Sequence, residues 1–363
     1  MEITSSLFGI RVRTEVLSMD LKDWPDGTPP ELVEMWGDSY RRAKTAGKEA
    51  LDGWKAGTWG MAGRVEELCG VVAERRVSRP VAFDTGIAAL NALLGSGFPT
   101  GITEVFGASS VGKSSLVYQL IGAAQVSGLR AVLCSTQRPP EPLMVRCGVD
   151  TESLCLLRAP CLELAASVLL EEFVAREGRL FLVVDTATAL RPLIDERGCW
   201  AEVMEIFLSH LANGLSPCSA AVIVNEVRAR RSVDPSRTFA GGTDSAAKRV
   251  ASLFPTRLEL ARDEVGEEEY TLVVHAVSNQ NRPPRQYVTL PTRKGYGVDA
   301  VRSLVEIAVS MGEVEKKGNH LYFGGQPLGQ GVKAASRFLH SDKQEQVLDQ
   351  LYVRVQELIS GVG

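Results

Sequence analysis

The eight residues from Gly107 to Ser114 constrain this chain more than any other part of its sequence. They read Gly-Ala-Ser-Ser-Val-Gly-Lys-Ser and match the pattern GxxxxGK[ST] at every fixed position. A strand-length apolar run, residues 102–106, precedes them, and a helical pattern over residues 113–125 follows. In such a strand–loop–helix unit the glycines let successive backbone N–H groups turn toward an anion, and the new helix presents the positive end of its dipole. The stretch therefore predicts a loop that holds nucleotide phosphates.

The side chains of this loop are expected to have different roles in binding a nucleotide. We expect the Lys113 ammonium to reach the β- and γ-phosphates and the Ser114 hydroxyl to bind the Mg²⁺ that accompanies ATP. A second metal anchor is expected at the end of a neighbouring apolar strand, and Asp185, directly after the run 180–184, occupies such a position. The residues expected to contact Mg²⁺ and ATP are Gly107, Ala108, Ser109, Ser110, Val111, Gly112, Lys113, Ser114, Ser115 and Asp185.

Apolar runs of strand length alternate with helical patterns over the middle of the chain. The runs are residues 102–106, 131–134, 154–157, 180–184 and 220–224, and the helical patterns cover 113–125, 162–176 and 200–213. Such alternation is typical of an α/β fold in which a mainly parallel sheet carries helices on both faces. The later segments 256–261, 270–277 and 286–289 have no long helix between them, so we expect antiparallel hairpins at one edge.

The pattern divides the chain into three regions. Residues 1–78 are predicted to form a mostly helical N-terminal accessory region, residues 79–297 an α/β core, and residues 298–363 a small C-terminal α/β domain. The last region is expected to contain helices at 300–311, 332–339 and 342–359 and a Gly-rich hairpin at 321–326. A basic cluster in the first region suits contact with DNA or a partner, although a solvated helix face is the commoner use of such residues. Its members are Arg41, Arg42, Lys44 and Lys48.

The composition excludes several classes of protein. A formal charge of −4 on 363 residues rules out a uniformly basic DNA coat, but it does not bear on local basic patches. No apolar run approaches the roughly 20 residues of a membrane helix, and the amino terminus shows no secretory signal. The seven cysteines form no CxxC pair and the four histidines no HExxH pair. We therefore expect free thiols, no structural metal and a cytoplasmic location.

The residues around the loop resemble a known family. Residues 84–107 contain Thr-Gly, Leu-Gly-x-Gly and Pro-x-Gly elements, as the RecA recombinase family does before its phosphate loop. The likeness continues at Asp185, at residues 224–228, at Gly241 and Gly242, and at residues 312–318 and 327–335. It covers about residues 80–360, and the chain is therefore similar to a divergent bacterial member of that family with a RecA-like P-loop ATPase core.

The resemblance implies two mobile loops that face DNA in the centre of a helical filament. The second would be residues 227–242, with expected DNA contacts at Arg228, Arg230, Arg231, Arg237, Phe239, Gly241 and Gly242. Guanidinium groups suit phosphate contacts, and an aromatic ring can stack on bases or wedge between them. The first loop would fall at residues 195–198, which are largely acidic. Single-stranded DNA and further copies of the chain are the partners implied.

Three residues are candidates for a catalytic role, and two of them differ from the residue that the family has at that position. Gln137 lies where the family places the glutamate that activates water, and an amide can orient a water but cannot take its proton. Glu141, four residues further on, is an alternative base. Glu226 replaces the glutamine that senses the γ-phosphate in the family. These changes predict slow or altered hydrolysis of ATP.

Positions that the family uses between subunits are altered as well. The paired lysines that reach a neighbour's ATP in the family correspond to Ser278 and Gln280 here. Lys248 keeps a family lysine, but Arg249 replaces the aromatic residue that passes the signal between subunits. Communication between subunits is therefore expected to differ from that of the family.

Three functions fit this sequence. The first is a RecA-like protein of DNA repair or recombination that binds ATP and single-stranded DNA and hydrolyses ATP slowly. The second is an active DNA-dependent ATPase that performs strand exchange. The third is a non-catalytic accessory protein akin to the ImuA-type relatives that assist translesion polymerases, with residues 1–78 as the docking region for a repair polymerase. Lys113, Ser114 and Asp185 argue against the third function, and Gln137 argues against the second.

Overall fold

The fold is taken from a computed structural model that describes residues 81–175, 178–192, 199–227, 250–279, 286–341 and 344–361. The predicted accessory region 1–78, with its basic cluster, lies outside these residues. The described residues belong to two compact units. One contains the described parts of Arg158–Arg176 and Leu190–Gly214, and the other those of Arg79–Leu157, Glu177–Ala189 and Leu215–Gly363. The domain boundaries predicted at 78/79 and 297/298 stay predictions.

The first half of the described chain alternates strands and helices. In chain order its elements are β1 (Val81–Phe83), α1 (Ala88–Leu94), β2 (Phe98–Pro99), β3 (Gly101–Gly107), α2 (Lys113–Val126), β4 (Arg130–Ser135), α3 (Glu141–Arg146), β5 (Cys155–Arg158), α4 (Leu162–Val168) and β6 (Leu180–Asp185). Helix α4 continues into a π-helical stretch, Leu169–Val174.

The second half begins with one more helix and strand and then becomes rich in strands. Its elements are α5 (Cys199–Gly214), β7 (Ala220–Glu226), β8 (Thr256–Glu264), β9 (Glu269–Ser278), β10 (Gln286–Arg293), β11 (Gly297–Val298), α6 (Ala300–Met311), β12 (Glu315–Lys317), β13 (His320–Phe323), β14 (Gln326–Gln330), α7 (Gly331–Leu339) and α8 (Glu345–Ser360).

A nine-stranded sheet organises the larger unit, in the order β11-β10-β9-β8-β3-β7-β6-β4-β5. Strand β3 pairs in parallel with both β7 and β8, β7 with β6, and β6 with β4. These parallel strands read as continuous apolar runs because both faces of their sheet are removed from water. Helix α2 packs against β3, β4 and β6. The predicted α/β architecture and the positions of its five apolar strands are confirmed.

The other side of the sheet is antiparallel. Strand β8 pairs with β9, β9 with β10, and β10 with β11, all antiparallel. The burial of β9 alternates residue by residue, as expected for a strand with unequal faces. The predicted hairpins at one edge are confirmed, and they begin at β8, which joins them to the parallel half.

The carboxyl-terminal elements form a second hydrophobic cluster within the same unit. Helix α6 has the predicted bounds, and its N-cap Asp299 accepts a hydrogen bond of 2.9 Å from the Arg302 backbone N–H. The sheet β12-β13-β14 and helices α7 and α8 follow it. Tyr352 of α8 donates a 2.5 Å hydrogen bond to Asp84, next to α1, so the two ends of the described chain are joined.

The smaller unit is helical in its described part. Helix α4 and its π-helical continuation pack against α5. The Leu162 backbone N–H donates to the Arg191 carbonyl oxygen at 3.0 Å, which fixes the start of α4. Within the residues that the structure describes, no helix of either unit is long and apolar enough to cross a membrane.

Among the residues whose side chains the structure describes, five cysteines are free thiols. Cys134, Cys147 and Cys161 are buried, Cys155 is partly buried and Cys218 is exposed. Burial raises the pKa of the Cys134 and Cys161 thiols to about 12 and that of Cys147 to about 11. The expectation of buried free thiols is thus confirmed for these three, and Cys218 departs from it.

One buried ionic cluster lies on the central strand. Glu104 of β3 is almost fully buried, and its carboxylate accepts hydrogen bonds from Arg257 Nε at 2.6 Å and Asn225 Nδ2 at 2.7 Å. The Arg257 guanidinium also lies 4.8 Å from the centre of the Phe106 ring. The cluster ties β3 to its two neighbours, because Asn225 belongs to β7 and Arg257 to β8.

Breaking this cluster should destabilise the sheet strongly. We expect Glu104→Gln to lower the free energy of unfolding by about 3 kcal/mol, because it leaves the Arg257 charge, whose side chain is only 15% exposed, without its buried counter-ion. The same change at Glu306, whose 3.1 Å pair with Arg302 is more exposed, should cost less than about 1 kcal/mol. Urea unfolding followed by circular dichroism measures both, and equal losses would contradict the assignment.

Candidate functional site

The phosphate loop lies between the end of β3 and the start of α2, as predicted. Gly107 and Gly112 have backbone φ angles of 157° and 109°, which residues with a side chain rarely adopt. A Cβ atom on Gly107 would overlap the Leu260 carbonyl oxygen, and one on Gly112 would lie 2.7 Å from the Tyr270 hydroxyl. Both fixed glycines of the motif are therefore required by backbone conformation and by close neighbours.

Lys113 is buried inside its own loop. Its ammonium donates hydrogen bonds to the Gly107 carbonyl at 3.1 Å and the Ala108 carbonyl at 2.7 Å. Burial lowers the pKa of Lys113, and the carboxylates of Glu226 and Asp185 partly oppose that shift. The loop carbonyls thus hold the ammonium near the start of α2. Both the ammonium and the positive end of the helix dipole favour an anion at this place.

Asp185 and Ser114 meet at the same place. Burial raises the pKa of Asp185, and hydrogen bonds from the Ser114 and Thr186 hydroxyls act in the opposite direction. A hydroxyl and a carboxylate are hard oxygen ligands of the kind that Mg²⁺ prefers. The two side chains therefore fit the metal that accompanies a nucleoside triphosphate.

The register of the parallel strands brings these residues together. Gly107 at the end of β3 lies opposite Glu226 at the end of β7, and Asp185 at the end of β6 lies opposite Val224. The Glu226 backbone N–H donates to the Thr188 hydroxyl at 3.3 Å. Ligand sites of parallel sheets commonly form at the carboxyl ends of the strands, and this site follows that rule.

A cleft of about 380 Å³ opens above the loop. Its lining residues are Ser109, Ser110, Gly112, Lys113, Ser114, Ser115, Asp185, Thr186, Glu226, Arg262, Tyr270, Lys294 and Gly295. Gly107, Ala108 and Val111, the other predicted members of the loop, shape it without appearing among the lining residues. Sequence reasoning missed Thr186, which follows the predicted Asp185, and the last four residues, which come from β8, β9 and the turn between β10 and β11.

Of the three candidate catalytic residues, only Glu226 is among the residues that line the cleft. Gln137 is exposed just after β4, where its backbone N–H donates to the Ser135 hydroxyl at 3.4 Å. Glu141 begins α3 and lies 3.9 Å from Arg138 in an exposed ion pair. The structure does not gather the three around one point.

The predicted DNA contacts from Arg228 to Gly242 lie outside the described residues, as do Gln280, Lys248, Arg249 and the acidic loop 195–198. Ser278 is described, and its hydroxyl donates to the Pro255 carbonyl at 2.9 Å. Val227, the first residue of the predicted DNA loop, is also described. Its backbone N–H donates to the Gly107 carbonyl at 3.1 Å, so the start of that loop is joined to the phosphate loop.

Replacing Gly112 should weaken ATP binding by about five- to a hundredfold, since a strained φ costs ~1–3 kcal/mol and about 1.4 kcal/mol is a factor of ten. The Tyr270 hydroxyl leaves no room for the new methyl group of Gly112→Ala. Gly128→Ala is the matched control, because Gly128 also has a positive φ of 75° but lies beyond the other end of α2. A titration with a fluorescent ATP analogue compares the two variants, and an unchanged affinity of Gly112→Ala would contradict the assignment of the loop.

Comparison with known proteins identifies the family. A family model described as the RecA N-terminal domain matches residues 69–277. The chain is 30% identical to Protein RecA of Chlorobium limicola over 300 residues, which cover 78% of this chain and 84% of the relative. It is 31% identical to Protein RecA of Thermus aquaticus over 295 residues, 75% of this chain and 84% of the relative. The match extends over most of both chains, and the chain therefore belongs to the RecA family.

Proposed function

We propose that this protein binds ATP with Mg²⁺ and single-stranded DNA, hydrolyses ATP slowly, and serves DNA recombination or repair. The observation that carries the proposal is the meeting of Lys113, Ser114 and Asp185 at one cleft beside a phosphate loop. Membership of the RecA family supports the same conclusion.

The charges along the cleft suit a nucleoside triphosphate with its metal. Among the lining residues, Lys113, Arg262 and Lys294 are cationic and Asp185 and Glu226 are anionic. The cations attract the phosphates, while the Asp185 carboxylate and the Ser114 hydroxyl provide oxygen ligands for Mg²⁺. Bound Mg²⁺ would neutralise part of the triphosphate charge, and the chain's own residues would hold and orient the phosphates.

Slow hydrolysis follows from the groups available to activate water. Gln137 cannot accept a proton, and loss of a general base commonly costs ~10²–10⁴ in rate. Glu226 is the candidate carboxylate among the lining residues, but its charge is also drawn toward Lys113. ATP would then act mainly as a clamp that holds the chain, its neighbours and DNA together.

The proposed DNA site is the loop that follows β7. Its expected contacts are Arg228, Arg230, Arg231, Arg237, Phe239, Gly241 and Gly242. The loop would start at Val227, whose backbone N–H donates to the Gly107 carbonyl of the phosphate loop, so a change at the nucleotide would reach the DNA loop through one hydrogen bond. This contact supports nucleotide-dependent DNA binding. Self-association into filaments and docking of a repair polymerase are further proposals that the same family membership motivates.

A faster ATPase that performs strand exchange is the second candidate function. The intact set of Lys113, Ser114 and Asp185 fits this candidate as well as the clamp, and it argues against the non-catalytic accessory protein. The rate of turnover separates this candidate from the clamp.

The test is ATP turnover by the purified protein with and without single-stranded DNA. We expect slow turnover together with DNA binding that requires ATP, and we expect Lys113→Ala to abolish both. Gln137→Glu should raise the turnover by at least about tenfold if position 137 only lacks a base. Glu141→Gln tests the alternative base, and we expect unchanged turnover because Glu141 lies in an exposed ion pair with Arg138 and does not line the cleft.

Three results would change the conclusion. Rapid DNA-stimulated turnover would favour the active recombinase. Binding of a repair polymerase without ATP or DNA binding would favour the non-catalytic accessory protein. Equal DNA binding by the wild-type protein and Lys113→Ala in the presence of ATP would contradict the clamp.

A further inference from the structure

The phosphate loop is contacted from the antiparallel half of the sheet. Strand β8 lies beside β3, and its Leu260 carbonyl occupies the space next to Gly107. Arg262 is two residues further along β8. Because successive side chains of a strand point to opposite faces of the sheet, the Arg262 side chain lies on the same face as that of Leu260. Arg262 Nη1 donates a hydrogen bond of 3.3 Å to the Ser110 carbonyl oxygen.

Tyr270 of β9 completes this contact. It is buried, and the Arg262 guanidinium lies 4.1 Å from the centre of its ring, a cation–π distance. The Tyr270 hydroxyl occupies the space beside Gly112. Arg262 and Tyr270 therefore touch successive parts of the phosphate loop, at Ser110 and Gly112, while also contacting each other.

The conformation of Ser110 shows why such support is needed. Its φ of 61° is in the left-handed region, which a residue other than glycine adopts at a cost. A strained backbone of this kind persists only where the surrounding structure determines it. The hydrogen bond from Arg262 is accepted by the Ser110 carbonyl, so it can stabilise the strained conformation of this residue directly.

We infer that Arg262 and Tyr270 form a brace that holds the turn from Ser110 to Gly112 in the shape that binds phosphate. They are positioning residues for nucleotide binding, and neither is part of the loop's sequence motif. Arg262 also lines the cleft, so its positive charge lies beside the space above the phosphate loop. The ligand of this inference, a nucleoside triphosphate, rests on the proposed function, whereas the brace can be tested without any nucleotide.

The test compares Arg262→Lys and Arg262→Met with the wild-type protein. Lysine keeps the charge but loses the planar fork that stacks on Tyr270 and directs the hydrogen bond to Ser110. Methionine keeps much of the stem but loses the charge as well. Arg293→Lys is the matched control, because Arg293 also lies over a tyrosine ring, 4.9 Å from the centre of Tyr296, but is not among the residues that line the cleft.

Two measurements are made on each protein. The first is amide hydrogen exchange of the peptide that spans residues 107–114, without nucleotide. The second is the affinity for a fluorescent ATP analogue with Mg²⁺. In both Arg262 variants we expect exchange in the loop to become about tenfold faster and the affinity about tenfold weaker, the effect of losing one hydrogen bond from a charged donor. Exchange in β6 and β7 should stay the same, and Arg293→Lys should match the wild type in both measurements.

Two results would overturn the brace. Wild-type behaviour of Arg262→Lys beside a loss in Arg262→Met would mean that the charge matters and the positioning does not. Faster exchange throughout the sheet would mean that Arg262 only stabilises the fold. If the wild-type protein failed to bind the analogue, the proposed function would fall, and loop exchange alone would decide whether the brace exists.

Discussion

The site depends on how the Lys113 ammonium is held at the first turn of α2. Two carbonyl oxygens of the phosphate loop accept its hydrogen bonds, and the side chain is almost fully buried. A buried charge without partners would be costly, so the loop must keep its shape for the lysine to remain ionised. The glycine conformations, the close approach of β8 and the carboxylates of Asp185 and Glu226 all serve that requirement. The proposed nucleotide binding would therefore depend on four neighbouring strands rather than on one motif.

The central strands also connect the cleft to the rest of the molecule. Strand β7 carries Asn225, which is bonded to the buried Glu104, and Glu226, which lines the cleft. The next residue, Val227, is bonded to Gly107 and begins the proposed DNA loop. Three consecutive residues thus contact the core, the nucleotide cleft and the phosphate loop. A shift of the loop on binding phosphate would be passed to the start of the DNA loop over one residue.

The elements that sequence alone could predict are those with local patterns. The phosphate loop has fixed glycines at fixed spacing, the parallel strands are unbroken apolar runs, and α6 has a capping aspartate before its apolar face. The short elements α1 and α3 were missed, since six or seven residues carry too little periodicity. Arg262, Tyr270 and Lys294 were missed for another reason, because strand register brings them to the cleft from distant parts of the chain. Gln137 was singled out by resemblance, and its role at the cleft stays a prediction.

The central claim is that this cleft binds ATP through a metal held by Asp185 and Ser114. Titration calorimetry with ATP, in the presence and absence of Mg²⁺, tests it directly when the wild-type protein is compared with Asp185→Asn. We predict that one ATP binds per chain, that Mg²⁺ strengthens binding to the wild-type protein, and that this strengthening is largely lost in Asp185→Asn, because an amide is a weaker ligand for Mg²⁺ than a carboxylate. An equal effect of Mg²⁺ on both proteins, or no binding of ATP by the wild-type protein, would contradict the claim.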